Sequence, residues 1–109
     1  MIRYTTPTIT IVAKGITLEN TVRIWASVEQ HDGCGNVEIE VEVPQASAEV
    51  IGGSVYVPVT LTQEQTGRLH KGFAQVQLNW ITSEGVRKAT KIGSIQVMDN
   101  LMDKVVSYE

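Results

Sequence analysis

The stretch TVRIWASVEQHDGCGNVEIEVEV, residues 21–43, carries the pattern that determines the fold class. Apolar and polar residues alternate through 21–29 and again through 37–43, which is the period of a half-buried β-strand. Between the two runs, the segment 31–36 contains two glycines and an Asp-Gly step, which favour a tight turn. We therefore predict that residues 21–43 form a β-hairpin.

The alternation also assigns each residue of the hairpin to one of two faces. The predicted inward residues are Val22, Ile24, Ala26 and Val28 in the first strand and Val37, Ile39, Val41 and Val43 in the second. The opposite face then carries Arg23 and Trp25 on the first strand. On the second strand it carries a row of three carboxylates, Glu38, Glu40 and Glu42.

The same period recurs on both sides of the hairpin. It predicts further strands at 8–13, 54–61, 73–81 and 86–98. Pro58 indicates an edge position because proline cannot donate to a β ladder, and the break at Ile92-Gly93 indicates a bulge. The segment 45–51 is left undecided.

Two further segments are not strands by this pattern. Thr62 and Gln65 have the spacing of a helix capping box, which predicts one short helical turn near 62–70. The segment 99–109 remains open between a short helix, a swapped strand and a flexible peptide that docks on a partner.

Length and composition favour one packed domain spanning 1–109. The chain has 109 residues, of which 42% are hydrophobic and 19% charged, close to ordinary globular usage. We find no internal repeat and no Pro- or Ser-rich linker. Several short alternating strands separated by turn signals predict an all-β antiparallel sandwich of about seven strands.

Charge and cysteine content narrow the classes of ligand. A net charge of -3 with scattered basic residues argues against nucleic acid as the main ligand. The longest apolar run is far shorter than the ~20 residues that cross a membrane, so we predict no membrane association. One cysteine permits no internal disulfide, and with two histidines it makes a Cys/His zinc site improbable, so we predict no metal and no cofactor.

The case for catalysis rests on one pairing, Cys34 with His31 in the glycine-rich turn. A catalytic thiol needs a cation or a helix N-terminus to lower its pKa, and the turn offers neither while placing Asp32 beside it. No phosphate-binding loop, nucleophile elbow or dinucleotide motif is present. The sequence therefore predicts a binding protein rather than an enzyme.

Arg23 and Trp25, together with Tyr56, are the predicted protein interface, because aromatic and Arg side chains are enriched at the centres of interfaces. The alternative is that a second sheet or the C-terminal segment covers Trp25. The row Glu38, Glu40 and Glu42 is either a solvated face or a contact for a basic protein patch.

Four stretches together resemble a known group of proteins. They are RYTTPT (3–8), VTLTQEQTG (59–67), VQLNW (76–80) and IQV (95–97). They resemble small virion structural and accessory proteins encoded by tailed bacteriophages and prophages of Gram-positive bacteria. In layout they are also similar to the immunoglobulin-like N-terminal domain of phage baseplate upper proteins, which attaches a receptor-binding device to the tail.

The resemblance implies an immunoglobulin-like sandwich that is made in the host bacterial cytoplasm and assembles into the virion. Its partners would be other phage structural proteins in the baseplate, tail or capsid, or further copies of itself. The 109 residues contain no long coiled-coil or receptor-binding region, so a free-standing module is expected. The alternatives are a small inhibitor of a host defence protein, whose acidic row imitates phosphates, and a carbohydrate-binding sandwich that stacks sugars on Trp25 and Tyr56.

Overall fold

The computed structural model of the chain describes residues 1–32 and 35–107. In chain order the strands are β1 (Thr8–Ala13), β2 (Thr21–Asp32), β3 (Gly35–Val43), β4 (Glu49–Ile51), β5 (Ser54–Thr60), β6 (Gly72–Thr82), β7 (Arg87–Ala89) and β8 (Gly93–Val97). The helix α1 (Gln63–Gly67) lies between β5 and β6, and two 3-10 turns span Leu18–Asn20 and Gln45–Ser47. Among the described residues, none of the helices has the length and apolar character needed to cross a membrane.

The strands form two antiparallel sheets that pack face to face. One sheet has the order β1-β5-β4, and the other has β3-β2-β6, with β7 and β8 both pairing with β6. Because β2 occupies one edge of β6, β7 and β8 lie end to end along the other edge. Seven strand positions result, three in one sheet and four in the other, which is the layout of an all-β antiparallel sandwich.

Alternation predicted the core well. The inward side chains of β2, β5 and β6 are almost fully buried, and they include Ile24, Ala26, Val28, Val57, Val59, Leu78 and Trp80. The predicted β2–β3 hairpin is present, with Asp32 opposite Gly35 at its closed end. The turn itself, at Gly33 and Cys34, lies outside the described residues.

Val22 is a correction to the predicted core. Its side chain is 55% exposed, and Thr21 is buried in its place. The register between β2 and β6 shifts between Thr21 and Arg23, so the strand has a bulge that moves Val22 out of the inward parity. Thr21 tolerates burial because its hydroxyl donates to the Thr17 carbonyl at 2.9 Å.

One predicted irregularity of the strands is confirmed, and the other holds only locally. Pro58 does not lie on an edge strand, because β5 is the middle strand of its sheet and Thr10 of β1 lies opposite Pro58. However, β4 pairs with β5 only as far as Tyr56, so the other side of β5 has no partner at Pro58 among the described strands. The register along β6 changes by one residue between β7 and β8, as a bulge requires. At the bulge the Thr90 hydroxyl accepts from the Leu78 amide at 3.1 Å, replacing a backbone acceptor.

The helix α1 has the predicted capping box. The Thr62 hydroxyl accepts from the Gln65 amide at 3.1 Å, and the Gln65 side chain accepts from the Thr62 amide at 2.9 Å. These two bonds satisfy backbone donors that a helix start otherwise leaves free. The helix therefore begins at a fixed residue, ends at Gly67 and positions Leu69 just beyond its end.

Both ends of the chain meet beside α1. Ile2 bridges Met98 in parallel, and the Arg3 side chain donates to the backbone carbonyls of Leu69 and Gly67. The same guanidinium bonds Asp103 at 2.8 Å. We call Arg3, Tyr4, Gly67, Leu69 and Asp103 the terminal clamp.

The segment that the sequence left open docks on its own domain. Residues 99–107 form neither a helix nor a strand. The Val106 amide donates to the Gln63 side chain at 2.8 Å, and its carbonyl accepts from the same side chain at 2.9 Å. Leu101 and Met102 remain exposed.

Candidate functional site

The candidate site lies on the solvent-facing side of the five-stranded sheet, which we call the outer face. Its centre is an open depression of about 490 Å³. The depression is lined by Arg23, Trp25, Ser27, Glu40, Asn79, Ile81 and Arg87, which come from β2, β3, β6 and β7. In β2, β3 and β6 alternation places these residues outward, because their neighbours in the strand include apolar core residues. Arg87 lies on the short strand β7, which is exposed throughout.

Trp25 stands at the middle of this face and is partly exposed. The opposite sheet packs on the inner side of β2, and the described C-terminal residues bond to Arg3 and Gln63 instead. Neither of the two predicted covers therefore lies over the indole. Its partial burial comes from neighbours on its own face.

Arg23 holds the indole from one side. Its guanidinium lies 4.7 Å from the centroid of the Trp25 ring, within the range of a cation–π contact. The same group makes a bidentate pair with Glu42, at 2.7 Å from Nε to Oε1 and 3.1 Å from Nη2 to Oε2. Because Glu42 lies opposite Trp25 in the β2–β3 register, the three side chains form one connected group.

The Arg23–Glu42 pair shifts the titration of both partners. The hydrogen bond and the opposite charge lower the pKa of the Glu42 carboxyl and raise the pKa of Arg23. Both side chains are about half exposed, at 54% and 50%, so solvent screens the pair and its main effect is to fix orientation.

A second arginine lies on the other side of Trp25. Asn79 is opposite Trp25 in the β2–β6 register. Its Oδ1 accepts two bonds from Arg87, at 3.3 and 3.2 Å. The outer face therefore presents a row of oriented groups, in the order Glu42 with Arg23, then Trp25, then Asn79 with Arg87.

The three predicted glutamates fall into different surroundings. Glu42 is neutralised by Arg23, and Glu40 lines the depression opposite Ser27. Glu38 lies nearer the β2–β3 turn, directly opposite Glu29. The row is therefore not a uniform acidic surface.

Tyr56 does not join the other predicted interface residues. It lies on β5, where it pairs with Val12 and Glu49, and faces outward from the three-stranded sheet. The structure thus brings Arg23, Trp25 and the glutamates together on one face and places Tyr56 on the opposite side of the sandwich.

One other prediction concerns the β2–β3 turn. Cys34, considered as a nucleophile with His31, lies outside the described residues. Sequence reasoning missed Asn79 and Arg87 as members of the site. The alternation in β6 is consistent with an outward side chain at Asn79, since its neighbours Leu78 and Trp80 are buried. Only the pairing of β6 with β2 and β7 shows that Asn79 and Arg87 both flank Trp25.

Comparison of the chain with protein-family models, curated proteins and solved structures finds no match in any of the three.

Proposed function

We propose that this chain is a protein-binding module, a structural or accessory component of a tailed-phage virion, and that it binds its partner through the outer face. The observation that carries the binding role is the partly exposed Trp25, fixed between Arg23 and the Asn79–Arg87 pair. The virion setting rests on the resemblance of the stretches at 3–8, 59–67, 76–80 and 95–97.

The outer face has the composition of an interface centre. Trp and Arg are the side chains most enriched among residues that dominate binding energy. Here Arg23 and Arg87 are already oriented by Glu42 and Asn79 before any partner arrives. Binding therefore immobilises fewer free rotamers, which lowers its entropic cost.

The partner is expected to be a protein, either another virion component or a second copy of this chain. Glu29, Glu38 and Glu40 keep the rim of the face acidic, which disfavours nucleic acid and complements a basic protein patch. We expect no membrane partner and no enzymatic activity. The protein would be made in the host cytoplasm and carried in the particle.

The alternatives are less well supported by the geometry. An inhibitor that imitates phosphates needs a row of free charges, yet Glu42 is paired with Arg23. A carbohydrate platform built on Trp25 and Tyr56 needs both rings on one surface, yet they lie on opposite sheets.

Site-specific photo-crosslinking tests the proposal. Trp25 is replaced by p-benzoylphenylalanine in the phage or prophage that encodes the protein, and Tyr56 is replaced in a matched control. After irradiation, purified particles are analysed by mass spectrometry. The expected result is a cross-link from position 25 to a virion protein or to a second copy, and none from position 56.

Each other outcome contradicts a definite part of the proposal. Absence of the chain from purified particles would exclude the virion role. Equal cross-linking from both positions would exclude the outer face as the interface. A cross-link from position 25 to a host protein alone would favour the inhibitor.

A further inference from the structure

A cluster of metal-ligating side chains lies beyond the depression, at the closed end of the β2–β3 hairpin. Glu29 and His31 are two residues apart on β2 and therefore share a face, and Glu38 lies opposite Glu29 on β3. One ligand atom from each of the three residues lies within 4.8 Å of the other two. Arg23, Trp25 and Arg87 take no part in this cluster.

We propose that Glu29, His31 and Glu38 form a surface site for a divalent transition-metal ion of the imidazole-binding class, with Zn²⁺ as its representative. The site shares Glu29 and Glu38 with the acidic rim of the outer face, but the inference does not rest on the protein-binding role.

The geometry of the cluster is close to what zinc requires. Tetrahedral Zn²⁺ with ligand bonds of about 2.0–2.1 Å places neighbouring ligand atoms about 3.3 Å apart. His31 Nε2 and Glu29 Oε2 are already 3.3 Å apart. The third ligand atom lies within 4.8 Å of both, a gap that rotation of the exposed Glu38 side chain can close.

The charges also suit a divalent cation. Two carboxylates and a neutral imidazole carry a net charge of -2. Like charges directly opposite each other on neighbouring strands are destabilising, and a bound cation relieves the repulsion between Glu29 and Glu38.

The ligand types select among metals. One imidazole nitrogen with two carboxylates favours zinc and its neighbours in the transition series. Ca²⁺ requires about 6–8 oxygen ligands, and Mg²⁺ prefers a near-octahedral shell of oxygens with bound water. We therefore expect Zn²⁺ to bind and Ca²⁺ and Mg²⁺ not to bind.

Isothermal titration calorimetry with ZnCl₂ tests the site. All variants carry Cys34→Ser, which removes the thiol as a competing zinc ligand. The parent should bind Zn²⁺, and the His31→Gln and Glu38→Gln variants should each weaken binding at least about tenfold, since even removal of an outer partner of a metal ligand costs about 10–100-fold.

Glu40→Gln is the matched control, because Glu40 lies on the same strand and face but outside the cluster. It should leave Zn²⁺ affinity unchanged. The same titration followed by NMR should shift the ring protons of His31. Glu29 and His31 are 43% and 44% exposed, so the variants are expected to fold, which circular dichroism verifies.

Two results would overturn the proposal. One is an absence of binding heat, or of a His31 shift, in the Cys34→Ser parent. The other is an equal loss of affinity in Glu40→Gln and Glu38→Gln, which would mean diffuse attraction to an acidic strand rather than a site.

Discussion

Arg3 and Arg23 have the same kinds of neighbour and different surroundings. Each guanidinium lies over an aromatic ring, Arg3 over Tyr4 at 5.2 Å and Arg23 over Trp25 at 4.7 Å. Each also bonds a carboxylate, at 2.8 Å for Arg3 and 2.7 Å for Arg23. The side chain of Arg3 is 16% exposed, whereas that of Arg23 is 54% exposed.

The difference separates a structural role from a binding role. Arg3 satisfies two backbone carbonyls at the end of α1 and ties the N-terminus to Asp103, so the fold depends on it. Arg23 bonds only side chains on the outer face among the contacts described, so it remains free to serve a partner. Burial and the two backbone carbonyls that Arg3 bonds distinguish it from Arg23.

The largest expected effect comes from Arg3→Ala. The carbonyls of Leu69 and Gly67 would lose their donor in a partly buried place, which should lower the free energy of unfolding by about 2–4 kcal/mol. Urea denaturation measures the change. Arg3→Lys should recover only part of it, because an ammonium cannot replace the planar fork of donors. An unchanged free energy of unfolding in Arg3→Ala would contradict the structural role assigned to Arg3 in the terminal clamp.

Gly67→Ala tests the packing of the same clamp. A Cβ at position 67 would lie 2.4 Å from Cε1 of Tyr4, so the ring must move. We expect a loss of about 1–2 kcal/mol, although Gly to Ala in a helix is otherwise stabilising. In a Tyr4→Ala background the loss should vanish, as thermal denaturation of the double-mutant cycle would show. An unchanged penalty in that background would place its cause elsewhere.

Arg23→Gln should have little effect on stability and a clear effect on titration. The pair is exposed and screened, so the thermal midpoint at neutral pH should scarcely change. The Glu42 pKa, now lowered by Arg23, should rise toward its ordinary value, as NMR of the carboxyl carbon would report. A large fall in the midpoint would show that Arg23 is structural, like Arg3.

The sign of the linked stability follows from the lowered pKa. The Arg23–Glu42 pair stabilises the fold above the ordinary pKa of Glu42 and loses this contribution as pH falls through the lowered value. The difference between the parent and Arg23→Gln should therefore shrink on acidification.

The smallest expected effect is at His31, measured with a chelator present. Glu29→Gln removes the first cause of the raised pKa of His31, so the pKa should fall toward 6.5, and NMR of the ring protons measures it. Because the folded pKa is raised, the contact stabilises the fold below the unfolded pKa and is lost as pH rises through the raised value. An unchanged His31 pKa would mean that Glu29 and His31 are not in contact.

Alternation and capping chemistry predicted much of the fold because both are local. The parity of β2 placed Trp25 outward, and the spacing of Thr62 and Gln65 located α1. The position of Val22 could not be predicted, since the bulge arises from the pairing of β2 with β6 and has no local signal.

The candidate site depended on information that a single strand does not contain. The alternation within β2 and within β5 predicts that Trp25 and Tyr56 both point away from the core. It does not predict that the two residues belong to different sheets. Only the register of β7 on β6 shows that Arg87 belongs to the candidate site. The Glu29–Glu38 pair likewise required the register of the hairpin.

The union of the two chain ends has a consequence for biosynthesis. Arg3 and its partner Asp103 are 100 positions apart, so at roughly 5–20 residues per second they are synthesised on the order of 5–20 s apart. Throughout that interval the clamp cannot close, and after β6 has been made it lacks its edge partner β8 until residues 93–97 have followed. An unfinished sheet with open edges is a template for wrong pairing. Newly made chains should therefore depend most on chaperones before their last segment leaves the ribosome.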